Sequence, residues 1–391
     1  MRLLNRKLII TDIPLKNDLW ANSLTIIEDG EVVELQLYSY KNKDILGNVY
    51  IGRVEKVLPQ LNCAFVYVQP GLSCHYLMAK GEKIKVGDQI PVQVAQEALK
   101  EKAPRVTSNL ELNGRYLVLS RYPHGLAVSS KISQNKKEKV KAMIAGEDDG
   151  QYGILLRTAA ADASKDEILE EYKALKLQMT EILEKSKTRS LYSCLYEGSN
   201  PVGKALKDYC SDEFQIITDQ EESFHKIKSW LFSQGISDSV LCFYQDKLLP
   251  LYKLYSLERV LDDALKTRVW MKSGAFLMIE QTEAFVSIDV NSGKLTKAKK
   301  NQDLIKRVNF EAAKEIAGQL RLRNLYGMIL IDFINMKEEY DREELLQYLR
   351  NCFRKDHVKT EVVDMTKLQI AECIRNKSRK SLKEQISLIY K

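Results

Sequence analysis

Short alternating runs of apolar and polar residues fill the first third of the chain. In "NSLTIIEDGEVVELQLYS" (residues 22–39) they flank an "EDG" turn, a β-hairpin signal because alternate side chains of a strand share one face. Further β-patterned runs follow between residues 44 and 118: "NVYIGRVEKVL", "NCAFVYVQP", "QIPVQVAQEA" and "GRYLVLS", separated by Gly, Asn and Asp turns. Short, closely spaced strands of this kind predict a small barrel. Residues 119–205 mix strand patterns ("GLAVSSKI", "YGILLRTAA") with "SKDEILEEYKALKLQMTEILEKSK", whose apolar residues recur every three or four positions. That period predicts one long helix with Ser164 as its N-cap. Residues 206–265 alternate strands ("FQIITD", "SVLCFYQ") with helical patterns, an α/β rhythm.

From residue 266 to 391 the pattern changes character. Two apolar runs, "FVSIDVNSGK" (285–294) and "GMILIDFINM" (327–336), are each interrupted by a carboxylate, Asp289 and Asp332. Between them "NFEAAKEIAGQLRLRN" predicts a helix with Phe310, Ala313, Ala317 and Leu320 on one face. The "MILI" run before Asp332 is apolar enough for a strand buried on both faces. Asp289 and Asn291, two apart on a strand, point the same way. If the helix returns the chain to the same sheet, the two aspartates approach one another near the strand ends. An isolated ionised carboxylate is expensive to bury, so each needs a cation, hydrogen-bond donors or water. Two carboxylates and an amide oxygen, completed by water, suit Mg²⁺ or Mn²⁺. The bland alternative is that each Asp caps a strand end or starts a turn.

Composition narrows the picture only slightly. The chain has 391 residues, 45% hydrophobic and 29% charged, enough for several domains with cores of their own. A formal net charge of +7 permits a nucleic-acid or phosphate partner without requiring one. The basic stretches "NKKEKVK", "KLTKAKK" and "IRNKSRKSLK" read equally well as solvated faces. No apolar run approaches a signal peptide or membrane span. Seven scattered cysteines without a C-x-x-C pair fit reduced thiols in a cytoplasmic protein, and no zinc site is expected. Four dispersed histidines argue against a Ser-His-Asp arrangement.

The residues "SIDVNSGK" (287–294) and "NFEAAKEIAGQLRLRNLYGMILIDFINM" (309–336) closely resemble the core of the ribonuclease E/G family. "GILLRTAA" and "KVGDQIPVQVAQEALKEKAPRVTSNLELNGRYLVL" resemble two further segments of it, and the resemblance spans essentially the whole chain. It implies an α+β multidomain protein. An RNase H-like subdomain (1–43 and 206–265) would be split by an S1-type OB barrel (44–118) and a 5′-sensor region (119–205). A DNase I-like α/β catalytic domain (266–391) would follow. The implied activity is a metal-dependent endoribonuclease in RNA processing or decay. It would cut single-stranded RNA, leave a 5′-phosphate and favour 5′-monophosphorylated substrates. By the same resemblance Asp289 and Asp332 hold Mg²⁺, and Asn291 joins them as a catalytic residue that orients the scissile phosphate or attacking water. Arg157 and Thr158 bind the 5′-phosphate. Phe65, Tyr76 and Lys102 contact RNA in the barrel, and Lys359 supplies a basic contact near the catalytic site.

The chain departs from the family pattern in three places. A C-x-x-C zinc link and small dimerisation domain are not seen before Lys391, so a monomer or dimer is expected rather than a zinc-linked tetramer. Paired arginines expected after the barrel are Ser130 and Lys131, and an arginine-rich stretch has become "CIRNKSRKSL" (373–382). Both changes would weaken RNA contacts. The alternatives are a non-catalytic RNA-binding protein of the same fold and a metal-dependent enzyme acting on small nucleotides or DNA.

Overall fold

The computed structural model describes residues 6–38, 45–79, 81–96, 103–198, 201–209, 214–233, 236–293 and 302–390. The chain forms two compact units: residues 43–209, and a discontinuous unit of residues 1–42 with 210–391. No helix among the described residues is long and apolar enough to cross a membrane.

In the 43–209 unit five strands close a barrel. Val49–Leu58, Cys63–Gln69, Leu72–Leu77, Arg105–Thr107 and Gln89–Gln96 pair in that order, and Gln89–Gln96 pairs again with Val49–Leu58. Closure leaves no long free edge. Small and β-branched residues such as Ala64, Val66, Val92 and Val106 fill the interior. At Gly52 a Cβ would meet the Val66 side chain at 2.5 Å, so only glycine lets the wall pass there.

The run "GRYLVLS", expected in the barrel, lies elsewhere. Its strand Leu117–Ser120 pairs with Glu111–Asn113 and Gly153–Leu156 in a four-stranded sheet completed by Gly125–Val128. The physical reason is the helix Lys165–Thr188, whose Ile168, Tyr172 and Met179 share a core with Leu117 and Leu119. Glu171 of that helix also accepts the backbone N–H groups of Tyr116 at 2.7 Å and Leu117 at 3.0 Å. Ser164 caps the helix in a reciprocal capping box with Glu167.

The discontinuous unit holds two sheets. In the five-stranded one the two chain segments meet, Arg6–Pro14 pairing in parallel with Phe214–Thr218. The hairpin Trp20–Glu28 and Glu31–Tyr38 turns at Asp29 and Gly30, both with positive φ (49° and 85°), as a right-twisted two-residue hairpin requires.

The six-stranded sheet runs Arg268–Trp270, Phe276–Gln281, Phe285–Asn291, Gly327–Asp332, Ile370–Arg375, Thr360–Met365. Helices Gln302–Leu322 and Glu339–Phe353 pack on one face, burying Val286, Ile288, Ile329 and Ile331 against Ile305, Ala312, Ile316 and Leu345. The expectation that Gly327–Asp332 is buried on both faces fails. Its Met328, on the opposite face, is 48% exposed, and Ile374 of the adjoining strand is exposed to the same degree. An apolar run cannot say whether its second face is covered. The first helix is also rotated from the predicted stripe: Ile305, Val308, Ala312, Ala313, Ile316 and Leu320 are buried, Phe310 and Ala317 only partly.

Candidate active site

Helix Gln302–Leu322 lies in the connection between two parallel strands, and their register sets Asp289 directly beside Asp332. Parallel neighbours lie roughly 4.8 Å apart, so both carboxylates stand side by side on the face opposite helices Gln302–Leu322 and Glu339–Phe353. They sit at the C-terminal ends of their strands, where open α/β sheets present ligands. Both residues are exposed. Partial burial and then the negative charge of Asp289 push the Asp332 carboxyl above the ordinary carboxylate range. Two like charges held together are relieved by a proton or by a cation between them. Asn291 Nδ2 donates to Asp289 Oδ2 at 2.7 Å, which leaves the amide oxygen for another partner. This donor set, two carboxylates and one amide oxygen, fits a hard divalent cation. Among the described residues no group of three or more His, Cys, Asp or Glu is placed to hold a metal. The remaining coordination positions would fall to water or substrate oxygens.

Two features that the sequence reading missed hold this edge in place, and a third fixes the opposite end of the Asp332 strand, where Arg375 is in register with Gly327. Asn309 is fully buried; its Nδ2 donates to Ile334 O at 2.7 Å, and the Ile334 N–H donates back to Asn309 Oδ1 at 3.1 Å. The clamp fixes the backbone two residues beyond Asp332. A polar residue on the apolar stripe between Val308 and Ala312 was the available signal. Gly293, at φ +57°, lets the turn after Asn291 lie against the Gly274 turn, where a Cβ would come within 2.4 Å of Gly274 O. Arg375 is buried, donating to Asp356 Oδ2 at 2.8 Å, Asn324 Oδ1 at 2.9 Å and Leu325 O at 2.8 Å. Nearby Arg379 donates to Glu34 at 3.1 Å. The "CIRNKSRKSL" arginines, expected as remnants of an RNA-contacting surface, thus serve the interior.

The other expected site residues divide. Lys359 is not near the aspartates. It precedes the edge strand whose Thr360 registers with Arg375 and, through it, with Gly327. Asp332 is at the opposite end of the Gly327–Asp332 strand, roughly 17 Å along it; Lys359 pairs instead with Glu361 at 2.6 Å. Exposed Lys367, in the turn beside Ile370, is a basic residue toward the Asp332 end. Tyr76 is not a stacking surface either. It is 1% exposed in the barrel core, with its hydroxyl on Glu82 at 2.6 Å and Ser108 at 2.7 Å. Strand alternation turns Phe65 and its partner His75 outward, edge to face at 5.9 Å, on the second and third barrel strands. Lys102 lies outside the described residues.

In the four-stranded region, the Arg157 guanidinium is already engaged. It donates to Gly114 O at 2.7 Å and pairs with Asp208 at 2.5 Å. Thr158 is exposed, its hydroxyl 3.4 Å from that of Ser129. Ser130 and Lys131 are exposed.

A closed five-stranded barrel and mixed sheets, with a carboxylate pair and an amide at the ends of two neighbouring central strands, define a mixed α+β protein with an OB-like module. Comparison with known proteins makes the class specific. The model of the "Ribonuclease E/G family" matches residues 111–378. Ribonuclease G of Haemophilus influenzae is 31% identical over 386 residues, 92% of this chain and 78% of that protein. Ribonuclease G of Escherichia coli K12 is 31% identical over 380 residues, with 91% and 78% covered. Ribonuclease E of a Synechocystis species is 30% identical over 358 residues, 87% of this chain but 53% of that protein. The chain belongs to the ribonuclease E/G family.

Proposed function

We propose that the protein is a metal-dependent endoribonuclease that cuts single-stranded RNA during cytoplasmic RNA processing or decay. The observation that carries this reading is the register of Asp289 with Asp332, beside Asn291, in a chain of this family. Asp289 and Asp332 would hold Mg²⁺ or Mn²⁺, and Asn291 would complete the donor set or orient the scissile phosphate. A divalent ion there would activate water and offset charge on the phosphate. Asn291 is held to Asp289 before substrate arrives, and such preorganisation is usually the largest catalytic term. Cleavage on the 3′-oxygen side of phosphorus leaves a 5′-phosphate on the downstream fragment.

Two further roles belong to the 43–209 unit. Phe65 and His75 lie on the barrel face that OB folds use for oligonucleotides, so we assign RNA contact to them, and not to Tyr76. A 5′-monophosphate would bind at Arg157 and Thr158 by replacing Asp208 on the guanidinium fork. RNase H-like and DNase I-like ancestry for the two sheets of the discontinuous unit is part of the same proposal.

The test is cleavage of a 5′-monophosphorylated single-stranded RNA with Mg²⁺ or EDTA, beside Asp289→Asn and Asp332→Asn. Internal cleavage that disappears in EDTA and in both variants is expected. Binding without cleavage would instead support a non-catalytic RNA-binding protein.

A further inference from the structure

One row of the six-stranded sheet runs straight through the carboxylate pair. Arg268 is in register with Met278, Met278 with Asp289, and Asp289 with Asp332. Two residues along, Trp270 is in register with Phe276 and Phe276 with Asn291. Cross-strand partners share a face, so Arg268, Trp270 and Phe276 stand on the face of the catalytic residues. At roughly 4.8 Å per strand, the Arg268 backbone is about 10 Å from that of Asp289. Val269, between the two, packs into the core on the other side.

These three side chains form a fixed cluster. Trp270 is 60% exposed, yet its ring is 5.1 Å from that of Phe276. The Arg268 guanidinium lies over both, 4.6 Å from the Phe276 ring and 5.7 Å from Trp270. No carboxylate pairs with Arg268 among the described residues. The Gly293–Gly274 contact holds this hairpin against the end of the Asp289 strand. A largely exposed indole beside a cation that no described carboxylate pairs with is the combination a single strand needs, because bases stack on rings and phosphates pair with cations. Its chemistry complements the neighbouring carboxylates, which repel the phosphate backbone unless neutralised.

We propose that Arg268, Trp270 and Phe276 form a subsite that stacks a base of single-stranded RNA next to the scissile bond, Trp270 carrying the base and Arg268 a flanking phosphate. The subsite rests on the endoribonuclease reading above.

The experiment uses the full chain and an RNA oligonucleotide cut at one position, with the nucleotides on either side of it intact or abasic. Trp270→Ala, Trp270→Phe, Arg268→Ala and Asp332→Asn are compared with the wild type. Wild type should lose roughly 5- to 100-fold in kcat/KM when one flanking base is removed. Trp270→Ala should lose a similar factor on intact RNA, mainly in KM, and nothing more on the abasic oligonucleotide. Trp270→Phe should restore most of it, and Arg268→Ala should raise KM and flatten its salt dependence. A wild type indifferent to both flanking bases overturns the subsite, even if Trp270→Ala fails to fold. So does a folded Trp270→Ala with wild-type KM and abasic penalty, or one whose only change is oligomeric state by light scattering. In those cases wild type still cuts and Asp332→Asn does not, so the subsite falls alone. If wild type and Asp332→Asn both leave every RNA intact, the endoribonuclease reading falls and takes the subsite with it.

Discussion

Replacing Asn309 with leucine should uncouple the position of Asp332 from the rest of the sheet. The side chain is fully buried and makes two bonds to Ile334, at 2.7 and 3.1 Å. Leucine keeps the volume but strands the Ile334 N–H and C=O. A buried polar group left without a partner costs roughly 1–3 kcal/mol. Ile334 is only half-buried, so water recovers part of each loss, and the pair together should cost about 2–3 kcal/mol. For a unit of this size that lowers the melting midpoint by roughly 4–12 °C. The freed backbone lies two residues from Asp332, and a displacement of about 1 Å at a reacting centre can cost on the order of 100-fold in rate. Thermal unfolding and steady-state RNA cleavage measure both effects, and kcat should fall more than KM rises. An Asn309→Leu protein that melts with the wild type and cleaves at the wild-type kcat refutes the clamp. One that is destabilised yet fully active refutes its positioning role alone.

The remaining predictions concern charge. Saturating Mn²⁺ should raise the melting point of wild type, by about 2.7 kcal/mol of stability at 100 times Kd, and leave Asp289→Asn unmoved. In EDTA near neutral pH, Asp289→Asn should be more stable than wild type. The Asp332 carboxyl is raised by burial and by Asp289, so its contribution is present in acid and lost as pH rises through its folded value. The advantage should vanish below the ordinary carboxylate range, which melts at stepped pH would show. Glu34→Gln should cost roughly 1–3 kcal/mol, because half-buried Arg379 (3.1 Å from Glu34) loses its carboxylate while buried Arg321 (2.8 Å) keeps Glu28 at 3.0 Å. Burial pushes Glu34 up, but the His357 hydrogen bond and the Arg379, His357 and Arg321 charges outweigh it and hold the carboxyl well below its usual value. Its stabilisation is therefore present above the ordinary carboxylate range and lost as pH falls through the depressed value; acid melts of Glu34→Gln should lack that loss. Asp208→Asn frees the Arg157 fork and should sharpen the preference for 5′-monophosphorylated over triphosphorylated RNA. Unchanged discrimination in both Asp208→Asn and Arg157→Ala would remove the pocket.

Much of the local structure was legible along the chain. The Asp29-Gly30 turn, the Ser164 cap and the helix between the aspartate runs all follow from interactions within a few residues, where backbone sterics and hydration dominate. The candidate site was legible in residue type, since a carboxylate ending an apolar run is costly without a partner. Tyr76 shows where legibility stopped. Alternation in "LSCHYL" separates Cys74 and Tyr76 from His75, but only closure of the barrel decides which set lies inside. The Leu117–Ser120 strand shows it again, because its pattern suits either sheet and the Lys165–Thr188 helix made the choice.

Sequence alone therefore determined the elements, their caps and the residue types able to hold a cation. Tertiary structure decided which of those residues are neighbours. Asp289 meets Asp332, Trp270 shares their face and Lys359 lies at the far end because strand order and register are set by pairings between segments tens of residues apart. Those pairings depend on which faces are buried together, and a linear pattern of apolar and polar positions is compatible with several such choices.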